Sequence, residues 1–153
     1  MARILILDGY NIIGARGAMR NDREALARER QRLLREVSDW AVGRDFPEVY
    51  LVFDGYPTDR DLLLVGSSAV RVVFSERAAN ADAVIVELAR RFRERAAVVS
   101  SDREVIREIR AVGAEPVSAK DFAERLSRTV SKGSASGAGR APLPEEAYGK
   151  DPE

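Results

Sequence analysis

Three short apolar runs in this chain end on or just before an aspartate. "RILILD" reaches Asp8, "VYLVFD" reaches Asp54 and "AAVVSSD" reaches Asp102. A fourth aspartate, Asp82, opens the helical pattern in "ERAANADAVIVEL". Two carboxylates about 4 Å apart repel by roughly 4 kcal/mol at an effective dielectric near 20. Three or four on one rim therefore call for protons or a cation. Oxygen-only ligands select hard cations such as Mg²⁺ or Mn²⁺. The chain has no histidine and no cysteine. This removes the commonest neutral general base, the usual zinc ligands and any disulfide. A carboxylate-held Mg²⁺ can lower the pKa of a bound water, orient it and neutralise charge on a phosphate. The expected reaction is hydrolysis of a phosphodiester by metal-bound water, without help from a 2′-hydroxyl. It leaves a 5′-phosphate and a 3′-hydroxyl.

Each aspartate alone has a plainer role. Asp54 before Gly55 can make a turn, and Asp82 and Asp102 can cap helices. The functional reading needs a fold that brings all four to one edge. The pattern supplies one. Arg3–Leu7, Val49–Phe53, Val70–Phe74, Ala96–Val99 and Glu115–Val117 read as strands,. Helical spacing covers Asp22–Val42, Asp82–Phe92, Arg103–Ala111 and Lys120–Val130,. Strands alternating with helices predict a three-layer α/β/α domain on a central, mainly parallel sheet of about five strands. In such sheets ligands bind outside the carboxyl ends of the strands, where these aspartates fall.

A length of 153 residues fits one domain,. We place it at residues 1–130. A Gly/Ser/Pro-rich flexible tail follows over 131–153,. No apolar run is long enough for a membrane span, and "MARILILDGY" is not a secretory leader,. A reducing cytoplasm fits the absence of cysteine. The 25 basic and 25 acidic residues cancel, so the chain lacks the net charge of a strong nonspecific nucleic-acid binder. Lysine stands only at Lys120, Lys132 and Lys150. The remaining cations are arginines, which suit phosphate contacts.

Around the aspartates lie candidate helpers. Asn11 can orient water or touch substrate, or make a turn. Ser101, with Ser100, can bond Asp102 or a phosphate. Tyr10 and Tyr56 each follow a glycine and can stack on bases, or anchor loops. Arg16, Arg20 and Arg77 are phosphate-contact candidates, against a role as solvated surface. The run "RRFRER" at Arg90–Arg95 reads as a solvated face. Apolar residues Leu62–Val65 can serve self-association or simple packing.

"LDGYNIIG", "LVFDGY", "VVFSERAANADAVI" and "VVSSD", in this order, resemble the YacP-like branch of the NYN domain family, which are PIN-like ribonucleases. The resemblance covers about Ala2 to Leu126. It implies a PIN-like α/β fold and a Mg²⁺-dependent endoribonuclease site. By motif, Asp8, Asp82 and Asp102 match the acidic ligand positions. Asn11 matches the polar residue after the first aspartate, and Asp54 the aspartate of the second strand motif. Some relatives are associated with cutting messenger RNA on the ribosome. Relatives often carry a longer basic segment after "FDGY"; here "PTDRDLLLVGSS" is more apolar.

Two other classes compete. A lapsed RNA- or ribosome-binding module of the same fold would keep the surface without the chemistry. A receiver-like phospho-acceptor domain would use Asp8, Asp54, Ser100 and Lys120, but leaves Asp82 and Asp102 idle. A haloacid-dehalogenase-type phosphatase needs an aspartate two positions after Asp8, where Tyr10 stands.

Overall fold

Ile4, Leu5, Ile6 and Leu7 are all buried, so the first strand meets water on neither face. The computed structural model describes residues 3–44, 46, 48–63 and 70–136. In it β1 (Ile4–Asp8) is the centre of a five-stranded sheet with β2 (Glu48–Phe53), β3 (Val70–Phe74), β4 (Ala96–Val99) and β5 (Glu115–Val117). The order is β3-β2-β1-β4-β5, and every pairing is parallel. The helices are α1 (Gly9–Ala15), α2 (Arg23–Ala41), α3 (Asp59–Leu63), α4 (Ala81–Phe92), α5 (Arg103–Ala111) and α6 (Ala119–Ser136).

Strand alternation divides the core in two. Leu5 and Leu7 join Ile12, Ile13, Leu33, Val37, Trp40, Phe122 and Leu126, from α1, α2 and α6. Ile4 and Ile6 join Ile85, Leu88, Ala89, Val105 and Ile109, from α4 and α5. Each buried Val, Leu, Ile or Phe among them contributes about 1.5–3 kcal/mol by leaving water. The result is the expected three-layer α/β/α domain, with a sheet that is wholly parallel.

Several elements follow simple local rules. Asp22 starts α2 and accepts the Ala25 N–H at 2.8 Å. Asn80 caps α4 by accepting the Ala83 N–H at 2.9 Å. Asp102 caps α5 with bonds from Glu104 and Val105 at 2.9 and 3.2 Å. Each bond satisfies a backbone donor that the first helical turn leaves free.

Two short helices, α1 and α3, lie where the sequence pattern predicts none. The segment "GYNIIGA" of α1 has two glycines and no full apolar period, so propensity argues against a helix. Packing decides otherwise, through buried Ile12 and Ile13. The last helix continues to Ser136, past the expected end at Val130. The rest of the expected tail, 137–153, lies outside the described residues, as do the Leu64 and Val65 of the apolar Leu62–Val65 stretch.

Gly9 is the joint between β1 and α1. A Cβ there would lie 2.2 Å from Cε1 of Phe53, with the Phe53 ring fixed in the core. Gly9→Ala is therefore expected to lift α1 from the sheet and to lower stability by about 1–3 kcal/mol. Urea unfolding measures it; an unchanged midpoint would refute the close packing.

Candidate active site

Going out from β1, the chain moves to β2 and β3 on one side, then to β4 and β5 on the other. The reversal lies between β1 and β4. A crevice forms beyond the carboxyl ends at such a switch point. Asp8 closes β1, and Ser100, Ser101 and Asp102 follow β4 directly.

Asp8 is 7% exposed, and Ser100 is 1% exposed. The Ser100 hydroxyl donates to Asp8 Oδ2 at 3.0 Å and accepts the Asp102 N–H at 3.2 Å. One buried hydroxyl thus links two of the aspartates. Burial pushes the Asp8 carboxyl up to about 6. The Ser100 bond and the Asn11 backbone N–H pull it down, while Asp82 and Asp102 push it further up. Asp82, in the first turn of α4, is half-buried, and no donor reaches its carboxylate among the described residues. Its pKa is also raised, first by burial and then by Asp102 and Asp54. Asp82 thus links the group: it acts on Asp8 and is acted on by Asp102 and Asp54.

Asp54 holds the frame of this cluster. Its Oδ1 accepts the Ser75 hydroxyl at 3.1 Å and the Ala81 N–H at 3.0 Å. The end of β2 is thereby tied to the end of β3 and to the start of α4, one residue before Asp82. Ser75, buried and also accepting the Gly55 N–H at 2.9 Å, was not singled out by the sequence. A lone serine between a strand and a glycine-poor turn gives no signal. Asn11 Oδ1 accepts the Ser101 N–H at 2.8 Å, locking α1 to the loop after β4. The Ser101 hydroxyl accepts the Ala119 N–H at 3.1 Å.

The other candidates lie apart from this core. Tyr10 stacks at a tilt on Phe53, with centroids 5.1 Å apart, and its hydroxyl takes a bond from Arg30. Arg16 faces Glu36 and Glu29 of α2. Arg20 is exposed and donates to the Met19 carbonyl. Arg77 is exposed in the turn after β3, and Tyr56 is 61% exposed in the segment after Asp54.

A buried ion pair pins that segment. Arg30 Nε and Nη2 donate to Asp61 Oδ1 and Oδ2 at 2.9 and 2.7 Å. The Thr58 N–H and hydroxyl both add bonds to Asp61 Oδ2 at 2.7 Å. Burial alone would raise the Asp61 pKa; the Arg30 and Thr58 bonds outweigh it and hold the carboxyl below its usual range.

The donor chemistry fits a hard cation. Asp54 and Asp102 each receive their bonds on Oδ1, leaving Oδ2 without a protein donor among the described residues. Among those residues no group of three or more carboxylates is drawn together into a ready ligand set. Mg²⁺ does not require one, since it keeps several waters and takes one or two carboxylates beside substrate phosphates.

A family model of the YacP-like NYN domain matches residues 5–142. The chain belongs to the YacP-like NYN domain family. The match runs past the α/β core into the segment read as tail. A crystal structure of Rae1 (YacP) from Bacillus subtilis is 25% identical, with a TM-score of 0.64, over 90% of this chain and 85% of that one. A point mutant of that protein is 24% identical with the same TM-score of 0.64, over 97% of this chain and 91% of that one. A search of curated proteins finds no match. Membership of the YacP-like NYN family supports a ribonuclease-type fold. Among the described residues no helix is long and apolar enough to cross a membrane.

Proposed function

We propose that this protein is a divalent-metal-dependent endoribonuclease that hydrolyses phosphodiester bonds in single-stranded RNA. Its setting is the cytoplasm, with ribosome-associated messenger RNA as the substrate pool. The observation that carries the reading is geometric: Asp8 is buried at the switch point, and the one hydroxyl of Ser100 joins its carboxylate to the backbone of Asp102. A fold does not keep mutually repelling carboxylates on one rim for stability alone.

Asp8, Asp82 and Asp102 would hold Mg²⁺ or Mn²⁺, one or two of them directly and the rest through the waters such an ion keeps. When bound, such an ion supplies an activated water and neutralises phosphate charge. The chain's own residues do the positioning. Ser100 fixes the Asp8 carboxylate and the Asp102 backbone at once. Asp54 sets the start of α4, and with it Asp82. Asn11 keeps its amide nitrogen for water or phosphate while its oxygen holds Ser101.

Cleavage of a labelled single-stranded RNA tests the reading. Products with 5′-phosphate ends are expected in Mg²⁺ or Mn²⁺, and none in EDTA or with Asp82→Asn. RNA or ribosome binding without cleavage in either metal would establish the lapsed module instead.

A further inference from the structure

The aspartates occupy the carboxyl edge of the sheet. At the opposite edge, where the strands begin, four arginines lie on two chain segments that meet there. Arg91 is in the last turn of α4. Arg93 and Arg95 belong to the 3-10 turn Arg93–Arg95 that follows, and Arg3 directly precedes β1. The backbone ties them into one patch. The Arg3 N–H donates to the Arg95 carbonyl at 2.8 Å, and Ile4 pairs with Ala96 in the next rung.

All four side chains belong to exposed residues. Among the described residues, none of the four is in an ion pair, whereas nearby acids are engaged. Glu48 pairs with Arg71 and accepts the Tyr50 hydroxyl, and Glu87 pairs with Arg90. Glu94 is the one acid inside the run. Exposed arginines elsewhere, such as Arg35, Arg60 and Arg77, stand singly in the chain.

Arg93 supplies a second observation. Its φ is 50°, in the left-handed region that glycine occupies without strain. The turn carries an arginine where glycine would relax it. Cations near a helix C-terminus complement its dipole, which accounts for Arg90 and Arg91. That effect does not account for Arg3, which begins a strand.

We propose that this cluster is a second RNA contact, holding the phosphate backbone of the strand whose scissile bond lies at the aspartate edge. The proposal rests on the reading of the protein as an RNA hydrolase. Arginine suits phosphate through paired N–H donors. The chain has no net charge to draw RNA in, and the aspartate rim repels phosphates. A separate cationic edge provides affinity without disturbing the site. Five residues of β1 at about 3.3 Å each separate the two edges by roughly 16 Å. A strand of RNA must go round the helices, a longer path than this line through the core, so a trinucleotide at roughly 3.4 Å per stacked nucleotide cannot touch both.

The test uses the whole chain in EDTA. An unstructured, fluorescein-labelled RNA of roughly 20 nucleotides, longer than a typical single-strand site, is titrated by anisotropy across a salt series. The variant Arg91→Gln/Arg93→Gly/Arg95→Gln is expected to bind about tenfold more weakly at low salt, with a salt slope smaller by about 2, at roughly 0.7 per lost contact. Arg93→Gly alone is expected to melt higher and bind more weakly. A purely structural arginine would give the reverse pattern, lower melting with unchanged binding, and would overturn the proposal. In Mg²⁺ the triple variant should raise KM for the long RNA and leave trinucleotide cleavage unchanged. Unchanged affinity and slope in the triple variant would overturn the proposal, as would arginine-dependent binding to anionic lipid vesicles with none to RNA. If RNA binds through the cluster but is never cleaved, the hydrolase reading fails while the contact stands.

Discussion

In EDTA at neutral pH, Asp8→Asn is expected to melt above the wild-type protein while losing RNA cleavage in Mg²⁺. The Asp8 carboxyl is raised from 3.8 to about 6. Each pKa unit is worth about 1.4 kcal/mol, so ionised Asp8 opposes folding by about 3 kcal/mol. For a chain of this size that is roughly 6–12 °C of melting temperature. The sign follows from the direction of the shift. The stability associated with protonated Asp8 is full below about pH 4 and is lost as pH rises through about 6,. The amide of the variant carries no charge, and its oxygen still accepts the Ser100 hydroxyl. The gap between the two proteins should therefore open between pH 4 and 6 and stay level above,. Mg²⁺ should raise the wild-type melting temperature and leave the variant's unmoved. Superimposed melting curves at every pH would refute the buried, repelled carboxylate.

Asp61→Ala is expected to destabilise the protein by about 3–5 kcal/mol, because it leaves the Arg30 guanidinium buried without its partner. The side chains of the pair are only 7% and 9% exposed. Arg30→Met should cost a similar amount by stranding Asp61. The double variant Arg30→Met/Asp61→Leu should recover most of the loss, since apolar groups of similar volume restore packing without desolvated charge. Because the Asp61 pKa is held down, the pair's stabilisation is present above the ordinary carboxylate range and disappears as pH falls below it. Equilibrium unfolding in urea measures all three variants. Additive losses in the double variant would mean that the two residues do not act as a pair.

The strands were legible because their runs are short, apolar and rich in valine and isoleucine. Val70–Phe74, Ala96–Val99 and Glu115–Val117 have the expected bounds. The cap at Asp102 was legible for a chemical reason, since a side-chain acceptor there precedes a helical period, whereas the cap role open to Asp82 falls to Asn80, two residues earlier. The edge on which the aspartates meet also followed, because parallel strands end on one side. Helix α1 was not legible. Its two glycines and its mere seven residues hide a structure that only contact with Phe53 and the core selects. Tyr10 was open to two roles, a ring for a base or a loop anchor; the structure packs that ring on Phe53 and bonds its hydroxyl to Arg30. Arg30 did leave a signal. It stands on the apolar stripe of Leu26, Leu33, Val37 and Trp40, where a hydrophobe is expected. A cation on that stripe demands a buried anion, and Asp61 is the answer. Asp54 was ambiguous between a turn and a ligand, and its bonds to Ser75 and Ala81 belong to neither description.

The central place of β1 has a consequence for the order in which the molecule comes into being. Its first strand emerges earliest during synthesis, yet Ile4 pairs with Glu48 on one side and Ala96 on the other. Asp8 meets Ser100 across a separation of 92 residues. Such distant partners make assembly slow compared with a chain of local contacts. A nascent chain that ends before β4 holds Asp8 with an open edge beside it and neither Ser100 nor Asp102. A chain interrupted before β4 thus lacks part of the aspartate edge, which is complete only once β4 and the loop after it have been made.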